Sequence, residues 1–362
     1  MKKGLVLLLS LVLVVSMFAA CGKKDDTTET PTEAVTPEAT EAVTPEATEA
    51  PATTDAVKTG LGVVSSIAKS KDASTEDGVA QVDSYVAAVL VGADGKIVDC
   101  AFDAAQTKIN FSAEGKLTTD LATEFKTKQE LGTEYGMLSA SSIGKEWNEQ
   151  ADAFAAYVIG KTIDEVKGIA VTEEGVATDA DLAATVTVKL GTFISALEKA
   201  VATAQDLGAT SADKLGLGVA TNIAKSKDAG EEAGVAQAYS NYAAVTTDGS
   251  GKITSCAIDA SQSNVNFDAT GVVTSDLAGE LKTKQELGAD YGMVANSSIG
   301  KEWFEQANAL AAYVAGKTID EVKGIALTEE GTPADADLAS SVTVHIGDYT
   351  NVIDKAVANA AK

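Results

Sequence analysis

Residues 60–204 of the chain recur as residues 216–360 at a constant offset of 156 positions, with no insertion or deletion. Of the 145 aligned positions, 91 carry the same residue. Each copy has the length of an ordinary domain and enough residues to bury a core. We therefore expect two tandem homologous domains at 58–204 and 215–362, joined by a linker at 205–214.

The N-terminus has the pattern of an export signal. Residues 1–20 combine a short basic start with an apolar run at 5–15 that is too short for a stable spanning helix. The sequence FAAC at 18–21 resembles the lipobox of bacterial lipoproteins, which implies that Cys21 becomes a lipidated N-terminus. We expect a lipid anchor on the extracytoplasmic face of the cell membrane. The alternative is an ordinary secretory signal with a chance cysteine.

Residues 21–57 differ sharply in composition from the rest of the chain. They are rich in threonine, proline and glutamate, and TPEATEAV at 36–43 recurs almost intact at 44–51. Such residues have little apolar surface to bury, so they cannot offset the entropy lost on ordering. We expect a disordered stalk that holds the two copies away from the membrane.

Charge and residue usage exclude several classes of site. The chain carries a formal net charge of −25, and all 28 basic residues are lysine. Nucleic-acid binding is not expected, because it depends on clustered basic residues. Bidentate guanidinium recognition of anions is also excluded. The single histidine, His345, aligns with Lys189, so neither a catalytic triad nor a histidine metal site is common to both copies.

Cys100 and Cys256 occupy equivalent positions in the two copies. We expect each to be a small buried residue on a strand. A disulfide between the copies is the alternative, and it would require the two Cα atoms to lie within about 7 Å.

The pattern of apolar residues within one copy predicts an α+β fold, with an antiparallel-rich sheet packed against helices. A hairpin is predicted from its turn at 93–95. Helices are indicated by apolar residues at intervals of three and four and by a glycine cap at Gly132. The predicted elements are strands at 86–91 and 96–103, a helix at 119–131, a helix starting at Trp147, a short helical turn at 161–169, a strand at 182–190 and a closing helix containing Phe193.

The last third of a copy, with GKEWNEQ, DADLAATVT and FISALEKAV in that order, is similar to the C-terminal half of the FMN-binding domain family. That family includes flavinylated lipoproteins of electron export in Gram-positive bacteria. The resemblance implies covalent attachment of FMN through its phosphate, with Asp179 and acceptor Thr185 in copy 1 and Asp335 and acceptor Ser341 in copy 2. The chain departs from the family motif at residues 182–183, where Leu-Ala replaces a hydroxyl residue and glycine.

Large aromatic residues are retained in both copies. Trp147 and Trp303, with Tyr135 and Tyr291, could stack on an isoalloxazine ring. The alternative is that Trp147 anchors its helix to the sheet.

These observations lead to two main hypotheses of function. The first is a membrane-tethered electron carrier with FMN, served by a flavin-attaching enzyme and a membrane oxidoreductase. The second is a non-enzymatic surface module that binds a small solute, a peptide or a partner protein through repeated lysines such as Lys126 and Lys128. Hydrolysis by paired carboxylates is a third alternative, and its candidates are Asp103 with Asp259 and Glu173-Glu174 with Glu329-Glu330. We expect a carrier or a binding protein rather than an enzyme.

Overall fold

The structure is a computed structural model that describes residues 55–362. These residues belong to one compact unit. The signal peptide at 1–20, the lipidation of Cys21 and residues 22–54 of the stalk lie outside the described residues, and they stay predictions.

Each repeat contributes one three-stranded antiparallel sheet. The strand orders are β1-β2-β3 and β4-β5-β6, so the α+β class is confirmed. The strands are β1 (Lys58–Ser66), β2 (Gly78–Val91), β3 (Ile97–Phe111), β4 (Lys214–Asn222), β5 (Gly234–Thr247) and β6 (Ile253–Phe267).

The helices lie on the outer face of each sheet. The predicted helix starting at Trp147 is confirmed, and its apolar stripe is buried. In chain order the helices are α1 (Lys128–Leu131), α2 (Trp147–Val158), α3 (Ile163–Lys167), α4 (Ala180–Ala183), α5 (Gly191–Ala202), α6 (Lys284–Leu287), α7 (Trp303–Val314), α8 (Ile319–Lys323), α9 (Ala336–Ala339) and α10 (Gly347–Ala360).

The two sheets pack face to face, which gives four layers with helices outside and sheets inside. The alternation of side chains along β2 produces this arrangement, because successive residues point to opposite faces. Ala87 and Val89 face helices α2 and α5. Val86 and Leu90 face the other sheet, where they share a core with Tyr242 of β5. The repeats therefore bury apolar surface against each other as well as against their own helices.

Many contacts between the repeats are reciprocal. In these, residue i of repeat 1 contacts residue j of repeat 2, and the equivalent of i contacts the equivalent of j, as in a twofold-symmetric dimer. Phe111 stacks on its own equivalent, Phe267, with ring centres 4.3 Å apart. The other reciprocal contacts include the hydrogen bonds from Ala73 N to Gly271 O and from Ala229 N to Gly115 O, and the ion pairs Lys199–Glu286 and Lys355–Glu130. The two halves of the unit are related by a pseudo-twofold axis.

The glycines of the repeated GLGV sequence allow helix and strand to approach closely. A Cβ atom on Gly60 would lie 1.9 Å from the carbonyl oxygen of Ala200 in α5. The equivalent atom on Gly216 would lie 1.9 Å from the carbonyl oxygen of Ala356 in α10. Since a side chain at either position would clash with helix backbone, only glycine fits here.

Two predicted elements are wrong. The helix at 119–131 is reduced to α1, because Phe125 instead forms an antiparallel bridge with Thr221 of the other repeat. The predicted strand at 182–190 is absent from the described structure. Its backbone N–H groups at Thr187 and Val188 donate to the buried side-chain oxygen of Gln150, so no neighbouring strand is needed.

The segment at 205–214 runs beside the start of β1. Ala56 forms a bridge with Thr210, and Val57 N donates to Ala209 O at 3.1 Å. Val57 is buried between the sheets. The end of the sequence assigned to the stalk and the sequence assigned to the linker therefore pair with each other within the folded unit.

Candidate functional site

The residues implied by the FMN-binding resemblance lie at the two ends of short helices. Asp179 caps the start of α4 and accepts a hydrogen bond from Leu182 N at 2.9 Å. Thr185 follows α4, is half-buried and donates to Leu182 O at 3.1 Å. Asp335 and the half-buried Ser341 occupy the same positions around α9. Among the described residues, no hydrogen bond joins either aspartate to its hydroxyl.

Lys128 is enclosed by aromatic rings and is only 6% exposed. Its ammonium nitrogen lies 5.3 Å from the ring centre of Tyr85, 4.7 Å from that of Tyr135 and 5.2 Å from that of Trp147. These are cation–π distances. Lys128 is therefore a buried residue, and partner binding through the repeated lysines stays a prediction. The indole of Trp147 is also buried against the core.

Lys284 occupies the equivalent cage in repeat 2, which contains more hydrogen bonds. Its ammonium nitrogen lies 4.7 Å from the ring centre of Tyr239, 4.6 Å from that of Tyr291 and 5.2 Å from that of Trp303. It also donates to the Tyr239 hydroxyl at 3.1 Å. Burial lowers the pKa of Lys284 to about 8, although the charge of Asp259 acts in the opposite direction. The cage holds a lysine whose charged form is costly to bury.

Asp103 and Asp259 are buried acceptors at the start of α1 and α6. Asp103 Oδ1 accepts from Ala104 N at 2.7 Å and from Gln129 N at 3.1 Å. Asp259 makes the same two bonds in repeat 2. Desolvation raises the pKa of each carboxyl to about 7, against the opposing effect of the hydrogen bonds. These contacts give both residues a role in anchoring a helix to the sheet.

A groove of about 640 Å³ opens between the outer edges of β1 and β6. This volume is typical of a small-ligand site. Its apolar wall is built from Leu61, Val63, Ile258, Ala311 and Ala315.

The charged groups of the groove are mostly acidic. Lys199, Asp206 and Glu286 lie among the lining residues, and Lys199 is ion-paired with Glu286. With Asp206 and the buried Asp259 left in excess, the groove favours a neutral or cationic occupant over an anion.

Several backbone groups of β1 face the groove. Thr59 exchanges hydrogen bonds with Gln205, so the alternation of an antiparallel strand directs the N–H and C=O groups of Leu61 and Val63 to the same outer side. The hydroxyl of Thr203 donates to Leu61 O at 2.8 Å. Within residues 55–362, no group bonds the N–H of Leu61 or the N–H and C=O of Val63 along this edge.

The edge between β3 and β4 is the pseudo-twofold equivalent of this groove, and it is closed. Asp99 accepts from Cys100 N at 2.8 Å. Its carboxylate also lies near the backbone N–H of Leu215 in the other sheet, which favours the charged form of the carboxylate. Ile159 stands at the position equivalent to Ala315, and its larger side chain is 46% exposed.

The sequence did not predict the groove. Its two walls come from strands almost 200 positions apart, and no local pattern indicates that β1 and β6 will meet. The only signal available in the sequence was that the two repeats differ at some equivalent positions, for example at Asp99 and Ser255 and at Ile159 and Ala315.

Cys100 and Cys256 are buried free thiols on β3 and β6, which confirms the prediction and makes the alternative of a disulfide wrong. In residues 55–362, no cluster of three or more histidine, cysteine, aspartate or glutamate side chains is placed to hold a metal ion. No helix in the same range is both long enough and apolar enough to cross a membrane.

Comparison with known proteins gives little. No family model matches the chain. No solved structure matches it. A stretch of 42 residues is 50% identical to a protein named chlorophenol reductase from Desulfitobacterium hafniense, and the match covers 12% of this chain and 13% of that protein.

Proposed function

We propose that this protein is an extracytoplasmic, membrane-tethered binding protein whose ligand occupies the groove between β1 and β6. The observation that carries this proposal is the groove itself, which combines an apolar wall with unpaired backbone groups of β1. A few polar groups converging on an apolar concave surface are the usual elements of a ligand site. The groove contains no arrangement of paired acid and base that would favour catalysis over binding.

The proposed tether is the N-terminal part of the chain. Removal of the signal peptide at 1–20 would leave Cys21 as the lipid attachment point, and the part of the predicted stalk up to residue 54 would separate the folded unit from the membrane. Two or more acyl chains hold a protein on a bilayer for long periods. A ligand captured in the groove would therefore be kept near the cell surface.

The binding proposal is tested with the neutral apolar dye Nile red and residues 22–362. Ala315→Ile places in the groove the residue that repeat 1 carries, so we expect dye affinity to fall about tenfold or more. Ile159→Ala is the matched control on the closed edge and should leave dye affinity unchanged. Equal dye binding by wild type and Ala315→Ile would contradict the proposal.

A second candidate function is electron transfer by FMN in a diverged, tandem pair of FMN-binding domains. One observation favours it, since Thr185 and Ser341 lie in turns after α4 and α9 and not in a strand ladder. A half-buried hydroxyl in a turn is compatible with a phosphodiester bond. Bound FMN would supply the redox chemistry, with a flavin-attaching enzyme and a membrane oxidoreductase as partners.

This second candidate is tested by purifying the protein from its native host. Attachment predicts a visible flavin spectrum and a mass increase on the peptides that contain Thr185 and Ser341. Thr185→Val together with Ser341→Ala should abolish both signals and leave Nile red binding unchanged. A colourless wild-type protein of unmodified mass would exclude flavin carriage. The short match to a reductase covers too little of either chain to indicate a substrate.

A further inference from the structure

We infer that Tyr239 is a redox-active residue, which gives one electron to an outer-sphere oxidant while its phenolic proton passes to the amine of Lys284. The oxidant belongs to the class of high-potential metal complexes, which take an electron on collision and form no bond to the protein. The site is the cage of Lys284 and not the groove, so the inference goes beyond the proposed function. It rests on a chain of hydrogen bonds that repeat 2 has and repeat 1 lacks.

Hydrogen bonds join the polar groups of the cage into a chain. Trp303 Nε1 donates to the Tyr349 hydroxyl at 2.8 Å. The hydroxyls of Tyr349 and Tyr239 lie 3.1 Å apart, and the Lys284 nitrogen lies 3.1 Å from the Tyr239 hydroxyl. Trp303, Tyr349 and Lys284 are only 2–4% exposed. The chain therefore runs from an indole to an amine through a region that water hardly enters.

The direction of the chain depends on the charge of Lys284. An ammonium group only donates, so it leaves one of the two phenol hydroxyls without an acceptor among the described residues. A neutral amine accepts from Tyr239, while Tyr239 accepts from Tyr349 and Tyr349 accepts from Trp303. Every hydroxyl proton of the chain is then used. Because buried donors are normally paired, the geometry favours a lysine that is ready to receive a proton.

This arrangement supplies what the oxidation of a phenol requires. Loss of an electron turns a tyrosine into a strong acid, so the electron leaves readily only when a base takes the proton in the same step. The O–H bond of Tyr239 breaks, and an N–H bond forms on Lys284. The products are a neutral tyrosyl radical, a lysine ammonium group and the oxidant reduced by one electron. The Tyr349 hydroxyl stays bonded to the oxygen of the radical.

The rings of Tyr239 and Tyr291 give the electron a path to the surface. Their centres lie 4.7 and 4.6 Å from the Lys284 nitrogen, so both rings lie against the same lysine. Each of the two tyrosines is half-buried, and the Tyr291 hydroxyl donates to the exposed Gln262 at 3.1 Å. An electron crosses such contacts by tunnelling. The oxidant therefore needs no cavity of its own and reaches Tyr239 from the surface.

Repeat 1 keeps the caged lysine and lacks the chain. Asp83 and Phe193 stand at the positions equivalent to Tyr239 and Tyr349. Lys128 is enclosed by aromatic rings, but no hydrogen bond joins it to a phenol within residues 55–362. Only the cage of repeat 2 combines a phenol with an amine that is placed to take its proton. The cage of repeat 1 is therefore a control within the same molecule.

Neighbouring groups set the pH at which Lys284 is able to accept the proton. Burial lowers the pKa of Lys284 to about 8, and the charge of Asp259 acts against this effect. Burial raises the pKa of each phenol of the cage, so the phenols keep their protons where the lysine loses its own. The titratable groups that act on the site are Tyr239, Tyr291, Tyr349, Asp259, Asp348 and Glu302.

The test oxidises residues 22–362 with photogenerated tris(bipyridine)ruthenium(III) and follows the tyrosyl radical by absorption and EPR. We expect a fast phase of radical formation that becomes faster as the pH rises through about 8, where Lys284 turns neutral, and slower in deuterated water. Lys284→Met removes the proton acceptor, so it should slow this phase about tenfold or more and abolish its pH dependence. Equal rates in wild type and Lys284→Met would overturn the inference, as would a wild-type rate that does not change with pH.

Two phenylalanine variants locate the radical. Tyr239→Phe keeps the ring and removes the oxidised hydroxyl, so the fast phase should disappear. Tyr85→Phe is the matched control in the cage of repeat 1 and should keep the fast phase. Both variants are first checked for cooperative unfolding in urea, and mapping of spin-trap adducts by mass spectrometry assigns the radical in wild type without any variant. Retention of the fast phase in folded Tyr239→Phe, or adducts on the tyrosines of repeat 1 in place of Tyr239, would overturn the inference.

Discussion

The open edge between β1 and β6 and the closed edge between β3 and β4 are built from equivalent strands, yet they differ at a few positions. Asp99 at the closed edge accepts from Cys100 N and lies near Leu215 N, while Ser255 at the open edge is bonded to neighbouring hydroxyls. Ile159, which is 46% exposed, stands at the position equivalent to Ala315. The comparison teaches that a duplicated fold can keep its packing symmetric and still develop a site on one side only, because edge residues are less constrained than core residues.

The lysine cages show a second difference of the same kind. Tyr85 completes the cage of Lys128, whereas Asn241 stands at its equivalent position and Tyr239 completes the cage of Lys284. Asn241 is 1% exposed, and its side-chain oxygen has no partner among the described residues. Repeat 2 therefore has the more polar interior, while the open edge is shared between β1 of repeat 1 and β6 of repeat 2.

The largest expected effect tests the symmetric part of the comparison. Phe111→Ala and Phe267→Ala each remove one ring of a stacked, fully buried pair, so each should lower the free energy of unfolding by about 3–5 kcal/mol. Urea denaturation measures both. The two losses should agree within about 1 kcal/mol, since the rings are related by the pseudo-twofold axis. Leu138→Ala, at a side chain that is 51% exposed, is the control with little effect. Unequal losses of stability would show that the two rings are not in equivalent environments.

The next effect concerns the cage of Lys284. Burial lowers the pKa of Lys284 in the folded protein to about 8 from 10.5, so between these values the unfolded chain binds the proton more tightly. This group then makes the protein more stable as pH rises from 8 toward 10.5, by up to about 3 kcal/mol. Lys284→Met should remove that rise, as measured by urea denaturation from pH 7.5 to 9.5.

Tyr349→Phe is the matched control for the lysine prediction, because it places in repeat 2 the phenylalanine that repeat 1 carries at Phe193. It keeps Lys284 and should keep the rise with pH. The groups facing the lysine are Tyr239, Tyr291, Trp303 and the more distant Asp259. An identical pH profile for wild type and Lys284→Met would show that the cage does not perturb its lysine.

A smaller loss of stability is expected when a residue of the closed edge is replaced by its equivalent from the open edge. Asp99→Ser removes the acceptor of Cys100 N and the carboxylate near Leu215 N, so the free energy of unfolding should fall by about 1–2 kcal/mol. Hydrogen exchange at those two amides should become faster. Asp181→Ser, at an exposed position, is the control. Unchanged exchange at Cys100 and Leu215 would mean that Asp99 does not close this edge.

Local patterns in the sequence predicted much of each repeat. The helix starting at Trp147, the turn at 93–95 and the helix containing Phe193 all have a periodicity or turn chemistry that acts over a few residues. The predictions of a strand at 182–190 and of a helix at 119–131 were wrong for the same reason. Their backbone groups are satisfied by distant partners, Gln150 in one case and Thr221 in the other.

The candidate site could not be predicted, because it depends on how the repeats pack. Strand β1 was not predicted from its glycine-rich sequence, and its glycines are explained only by the approach of α5, as those of β4 are by the approach of α10. The apolar face of β2 that carries Val86 and Leu90 gave no indication that its partner would be the other copy. A groove formed by two strand edges becomes visible only after that packing is known.

The smallest effect concerns the reciprocal ion pairs at the two edges. The side chains of Lys199–Glu286 and Lys355–Glu130 are 29–34% exposed, so double-mutant cycles should give coupling energies of only about 0.2–1 kcal/mol that shrink in high salt. Lys355 also donates to Val219 O at 3.2 Å on the closed edge. Lys355→Met alone should therefore cost more stability than Lys199→Met, while the two coupling energies remain equal. Equal single-variant costs would mean that Lys355 does not help to close its edge, and the distinction between the edges would then depend on Asp99 and Ile159.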